Sequence, residues 1–70
     1  MSAILKINGT EKNFDEGLPS TVSELLAKLE IDTATVVAEI DGEIIERKNF
    51  AQTELKDRMA IELIRFVGGG

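Results

Sequence analysis

Few side chains in this sequence are equipped for covalent chemistry. Serine and threonine hydroxyls run from Ser2 to Thr53, but the chain has no histidine to activate one as a nucleophile. It has no cysteine either, so thiolates, disulfides and cysteine-based metal sites are excluded. Asp32, Glu39, Asp41, Glu43 and Glu46 are close enough in sequence to raise the question of a cation. They lack the alternating ligands and fixed glycine of a calcium loop, and read as solvated strand edge and turn. One reactive group remains, the carboxylate at the end of Phe66-Val67-Gly68-Gly69-Gly70. Charge and resonance make a carboxylate a poor electrophile, so it reacts only after activation, for example as an acyl-adenylate made with ATP. A protein offering such a group acts as substrate or carrier, with no catalytic or metal-binding residue of its own. Glycines have no Cβ, so Gly68 and Gly69 make an arm thin enough for a narrow slot in a partner's active site. A frayed end has the same composition, and composition alone does not choose between the two.

The rest of the sequence bounds what carries that arm. Seventy residues make one domain, with 43% hydrophobic and 30% charged residues, an ordinary balance for a soluble globular protein. Phe14, Phe50 and Phe66 are the only aromatics, so the core is aliphatic. A net charge of −5 disfavours nucleic acid and anionic membrane as partners. The apolar runs are too short to span a bilayer, and Met1–Lys6 lacks the features of a signal peptide, so the cytoplasm is expected.

Ala3 to Asn8 reads as a strand, Asn8-Gly9 as a two-residue hairpin turn and Thr10 to Phe14 as the return strand. Thr21 and Glu24 form a capping-box pattern. Val22, Leu25, Leu26 and Leu29 then place an apolar stripe on one face of a helix ending near Glu30. Glu24 and Lys28 stand in the favourable order for an i,i+4 pair. Thr35 to Ile40 is a strand with Val36, Ala38 and Ile40 on one face; Asp41-Gly42 is a second hairpin signal, and Glu43 to Glu46 returns. Arg47 to Met59 is irregular, with Phe50 and Leu55 as anchors to the core; an aromatic binding spot at Phe50 is the functional alternative. In the last strand, Ala60 to Val67, Ile61 and Leu63 lie opposite Ile64 and Phe66. The order β-β-α-β-β-β predicts an α+β fold, with the apolar first and last strands parallel at the centre of a mixed sheet.

Three stretches resemble the thiamine-pathway sulfur carrier family (ThiS), whose fold is the ubiquitin-like β-grasp. They are Ile7-Asn8-Gly9, the helix start Thr21 to Leu26, and Val37 to Ile45 with Arg47 just after. The closing run from Ile61 to Gly70 is the specific part of the likeness. The resemblance implies a mixed sheet of four to five strands packed on one helix, with a β-grasp domain over residues 1–67 and a flexible glycine tail over 68–70. It implies that an E1-like, ThiF-type adenylyltransferase consumes ATP to adenylate Gly70, no cofactor being bound by the carrier. Sulfur from a persulfide donor enzyme would then give a thiocarboxylate, delivered to a ThiG-type thiazole synthase. Gly68 and Gly69 would enter the partner's active site, and Ile64, Phe66 and Val67 would form the docking surface. The sequence departs from the family's habit in having Phe50 where a larger aromatic is common. It also departs in the turn Lys56-Asp57-Arg58-Met59, where glycine is common, so a less tight turn is expected. Three other readings stay open: the small subunit of molybdopterin synthase (MoaD-like), a ubiquitin-like protein modifier, and a plain interaction domain with an incidental tail.

Overall fold

The computed structural model describes residues 2–65. Its elements are β1 (Ala3–Ile7), β2 (Thr10–Phe14), α1 (Val22–Lys28), β3 (Val36–Ile40), β4 (Glu43–Ile45) and β5 (Ala60–Arg65), with 3-10 turns at Thr33–Thr35 and Arg47–Asn49. The strands form one sheet in the order β2-β1-β5-β3-β4. β1 and β5 run parallel, with Ile7 opposite Ile61, and the other pairings are antiparallel. The last strand thus lies in the middle, as its apolar content predicts.

Both hairpins close as type I′ turns. Asn8 and Gly9 have φ of 51° and 83°, and Asp41 and Gly42 have 50° and 89°, the left-handed values such a turn demands at both central positions. α1 is too short to persist by itself, so burial of its stripe holds it in place. Val22, Leu25 and Leu26 are buried against Leu5, Ala38, Ile61 and Leu63 on one face of the sheet. Each leucine contributes about 1.5–3 kcal/mol of apolar burial. Glu24 and Lys28 do not form the expected ion pair: the pairs among the described residues are Glu46–Lys48 and Asp57–Arg58, all well exposed. Exposed pairs of this kind gain too little to fix two long side chains.

The stretch after β4 is irregular but firmly placed. Phe50 and Leu55 are 2% and 9% exposed, which makes them the anchors expected and leaves no accessible aromatic face at Phe50. The same stretch caps the helix. The Thr53 and Phe50 carbonyls accept from the Val22 and Ser23 amides, while the Thr21 hydroxyl accepts from the Glu24 amide at 3.3 Å. These bonds satisfy N–H groups that a helix start otherwise leaves without partners.

The turn before β5 corrects an expectation. It is as tight as a glycine-bearing turn: Met59 N–H donates to the Lys56 carbonyl at 3.2 Å, and Arg58 adopts φ of 68°. Neighbouring contacts compel the shape. Ile4 N–H donates to Asp57 Oδ1 at 2.8 Å, and Arg58 N–H donates to the Ile4 carbonyl at 2.6 Å, so the turn docks on β1 and extends the parallel pairing.

Candidate functional site

The candidate site comprises strand β5 and the C-terminal residues after it. Of the residues expected to act, Ile64 lies on β5, whereas Phe66, Val67, Gly68, Gly69 and Gly70 lie outside the described residues. The structure therefore addresses the root of the arm and the surface around it.

β5 is gripped along its length by the two hairpin turns beside it. On the β3 side, Asp41 N–H donates to the Ala60 carbonyl at 3.0 Å, and Asp41 Oδ1 accepts from Ala60 N–H at 3.3 Å. On the β1 side, Asn8 N–H donates to the Ile61 carbonyl at 2.9 Å. The Asn8 side chain then continues where β1 has turned away. Its Oδ1 accepts from Leu63 N–H at 2.7 Å and its Nδ2 donates to the Leu63 carbonyl at 3.2 Å. A side-chain amide has the same donor and acceptor as a peptide unit, so Asn8 acts as one more rung of the sheet. Asn8 thus serves two ends: its φ closes the hairpin and its amide fixes the strand that leads to the tail. The sequence shows the first role through the Asn-Gly pair and carries no signal for the second.

The alternation of β5 separates two faces. Ile61 and Leu63 go into the core, while Glu62 and Ile64 point away from the helix. Ile64 is 49% exposed, so it is open to a partner, as a docking residue must be. Cross-strand register places Val37 opposite Ile64 and Glu39 opposite Glu62 on β3, and Ile44 opposite Glu39 on β4. Ile44 is 66% exposed and shares the outward face. Sequence reasoning does not single it out: Ile44-Ile45 sits in a strand of only three residues, too short for alternation to say which isoleucine faces out. Among the described residues no group of three or more acidic side chains is arranged to hold a metal ion. No helix among them is long and apolar enough to cross a membrane.

Comparison with known proteins gives this surface its context. The model of the ThiS family matches residues 4–70. The sulfur carrier protein ThiS of Bacillus subtilis is 34% identical over 67 residues, covering 96% of this chain and 100% of that protein. A thiazole synthase of Paramagnetospirillum magneticum is 38% identical over 66 residues, covering 94% of this chain but 20% of that protein; the chain thus spans about a fifth of the synthase's length. The crystal structure of a thiamine biosynthesis protein (ThiS) from Geobacter metallireducens superposes with a TM-score of 0.79 at 38% identity, covering 96% of this chain and 99% of that one. The solution structure of a thiamine biosynthesis protein from the same organism gives 0.78, covering 96% and 87%.

Proposed function

Because the chain belongs to the ThiS family and is a sulfur carrier protein of thiamine biosynthesis, we propose that its working atom is the carboxyl carbon of Gly70. The single observation that carries this is the family match, which runs through Gly70 itself. The chemistry of the side chains agrees, since a chain without histidine or cysteine has no activated nucleophile of the usual kinds.

In this reading a carboxylate oxygen of Gly70 attacks the α-phosphorus of ATP within a ThiF-type adenylyltransferase, displacing pyrophosphate and forming an acyl-adenylate. The terminal sulfur of a persulfide on a donor enzyme attacks the acyl carbon and expels AMP. A thiol reductant cleaves the resulting acyl disulfide, leaving the thiocarboxylate. A ThiG-type thiazole synthase then accepts the sulfur. The chain binds no cofactor for this; ATP is consumed by the activating partner, in the cytoplasm.

The chain's own part is presentation. Gly68 and Gly69 enter the partner's slot because neither adds a Cβ to it. Ile64, Phe66 and Val67 dock the root of the arm against the partner. The grip of Asn8 and Asp41 on β5 holds that root in one orientation, so the cost of ordering it is met in folding and not again on binding. The synthase that contains a counterpart of this chain supports thiazole chemistry over molybdopterin chemistry.

Intact-mass spectrometry tests the reading. After incubation with ATP, a persulfide donor, a thiol reductant and the E1-like enzyme of the same organism, the chain should exchange one terminal oxygen for sulfur. Isopeptide adducts on lysines would instead mark a protein modifier. An unchanged mass with every such enzyme of the organism would remove the carrier mechanism altogether.

A further inference from the structure

The asparagine that grips β5 is also the only one in the chain followed by glycine. Such a pair holds an electrophile and a nucleophile in adjacent residues. Cγ of Asn8 is an amide carbon, and the backbone nitrogen of Gly9 closes a five-membered ring when it attacks there. Glycine has no Cβ to crowd that nitrogen. A Cβ placed on Gly9 would meet no atom within 4 Å among the described residues, and both residues of the pair are exposed. Water and hydroxide therefore reach the pair. Asn13 and Asn49 each precede a phenylalanine, whose side chain crowds the attacking nitrogen.

In the folded chain β5 restrains this reaction. Asn8 Oδ1 accepts from Leu63 N–H at 2.7 Å, and Nδ2, the leaving group, donates to the Leu63 carbonyl at 3.2 Å. Two bonds to one residue fix the plane of the amide and aim it across the sheet, while the turn fixes φ of Asn8 at 51°. Ring closure swings Cγ toward Gly9, so both bonds must break first. Parting β5 from the β1 turn frees the amide, and a local opening suffices for that. Asp41-Gly42 has the same layout on the other side of β5, with Asp41 Oδ1 accepting from Ala60 N–H at 3.3 Å. The negative charge of a carboxylate resists attack, so Asn8 is the reactive member of the two.

We propose that Asn8 is a deamidation site gated by β5, closed while Leu63 holds its amide and open whenever β5 is undocked. In the open chain the Gly9 nitrogen gives its proton to hydroxide and attacks Cγ of Asn8. The Cγ–Nδ2 bond breaks and ammonia leaves with a proton from water, which regenerates the hydroxide. Water then opens the succinimide at Cγ to give aspartate, or at the backbone carbonyl carbon to give isoaspartate. One water is consumed, one ammonia is released, and nothing is oxidised or reduced. Neither product restores the grip. Aspartate sets a carboxylate oxygen against the Leu63 carbonyl where an N–H had donated, so two acceptors face each other. Isoaspartate also routes the main chain through Cγ, adding an atom to a turn of fixed geometry. A chain that has stood open is thus marked permanently, with the root of its arm less firmly held. The modification is independent of the carrier reading; its effect on sulfur loading rests on that reading.

The test incubates the full chain at mildly alkaline pH, in buffer and in unfolding urea, and follows each asparagine by peptide mass and by isoaspartate methyltransferase labelling. In urea, Asn8 should gain about 1 Da at least tenfold faster than Asn13 or Asn49, with isoaspartate among the products. In buffer, Asn8 should convert at least tenfold more slowly than in urea, and in the partly unfolded Leu25→Ala chain at a rate between the two. Asn8→Asp should lower Tm and remove the protection of the Leu63 amide from hydrogen exchange. Rates at Asn8 within twofold of each other in buffer and urea overturn the gate. Conversion at Asn8 no faster than at Asn13 and Asn49, or without isoaspartate, overturns the site. An Asn8→Asp chain with unchanged Tm and Leu63 protection overturns the loss of grip. Pyrophosphate release with the activating enzyme should show KM for Asn8→Asp raised at least threefold with kcat unchanged, and an unchanged KM refutes the link to the arm. An unaltered chain that releases no pyrophosphate refutes the carrier reading, while the mass measurements still decide the site.

Discussion

Replacing Asn8 by glycine isolates the side-chain rung that holds β5. Glycine accepts the φ of 51° that the turn requires, so the hairpin is kept and the amide alone is lost. Two hydrogen bonds disappear, at 2.7 and 3.2 Å. Each is worth about 0.5–1.5 kcal/mol net, and water at this part-buried position satisfies the freed Leu63 groups only in part, so the expected cost is about 1–3 kcal/mol. For a domain of this size each kcal/mol moves Tm by about 4–8 °C, which puts the shift between about 4 and 24 °C. Asn8→Ala should cost about 1 kcal/mol more, because alanine adds the strain of a left-handed conformation. Urea titration followed by circular dichroism gives the free energies, and amide hydrogen exchange at Leu63 gives the local effect. The reasoning fails if Asn8→Gly lies within about 0.5 kcal/mol of the unaltered chain while the Leu63 amide keeps its protection.

Arg58→Gly should stabilise the fold by up to about 1 kcal/mol, because Arg58 holds φ of 68° at a position glycine takes without strain; thermal unfolding reads this as a higher Tm. Leu25→Ala should cost about 2–5 kcal/mol, since Leu25 is wholly buried beneath the helix, and circular dichroism at room temperature should already show partial unfolding. Gly69→Val should abolish adenylation, measured as pyrophosphate release with the activating enzyme, and leave the urea midpoint unchanged. Normal adenylation of that variant would refute the slot argument.

Much of the architecture is legible because local signals and global pattern agree. Asn8-Gly9 and Asp41-Gly42 announce their turns, and Val22, Leu25 and Leu26 announce the buried side of the helix. The apolar content of Ala60–Arg65 announces the central strand. What escapes is decided across the fold. The left-handed Arg58 has no local signal, because the bonds from Asp57 and Arg58 to Ile4 shape that turn from 53 and 54 residues away. The capping by Thr53 and Phe50 likewise depends on where an irregular segment comes to rest. The exposure of Ile44 rests on its register with Glu39, which a strand of three residues does not reveal by itself. Sequence pattern does place Ile64 outward, because β5 is long enough for alternation to be read.

The central place of β5 has a consequence for how the protein is made. A ribosome synthesises β1 first and β5 last, yet β5 is the strand that joins the β1–β2 hairpin to the β3–β4 hairpin. Until it emerges, the two hairpins have no common neighbour and the leucines of α1 have only part of their floor. Contacts such as Asn8 to Leu63, 55 residues apart, must close late, and contacts so distant in sequence slow folding. Folding is thus deferred until the strand that leads to the glycines has been translated. A chain interrupted before Ala60 stays without a sheet centre and meets proteases unfolded, so the folded population is drawn from chains whose synthesis has passed that strand.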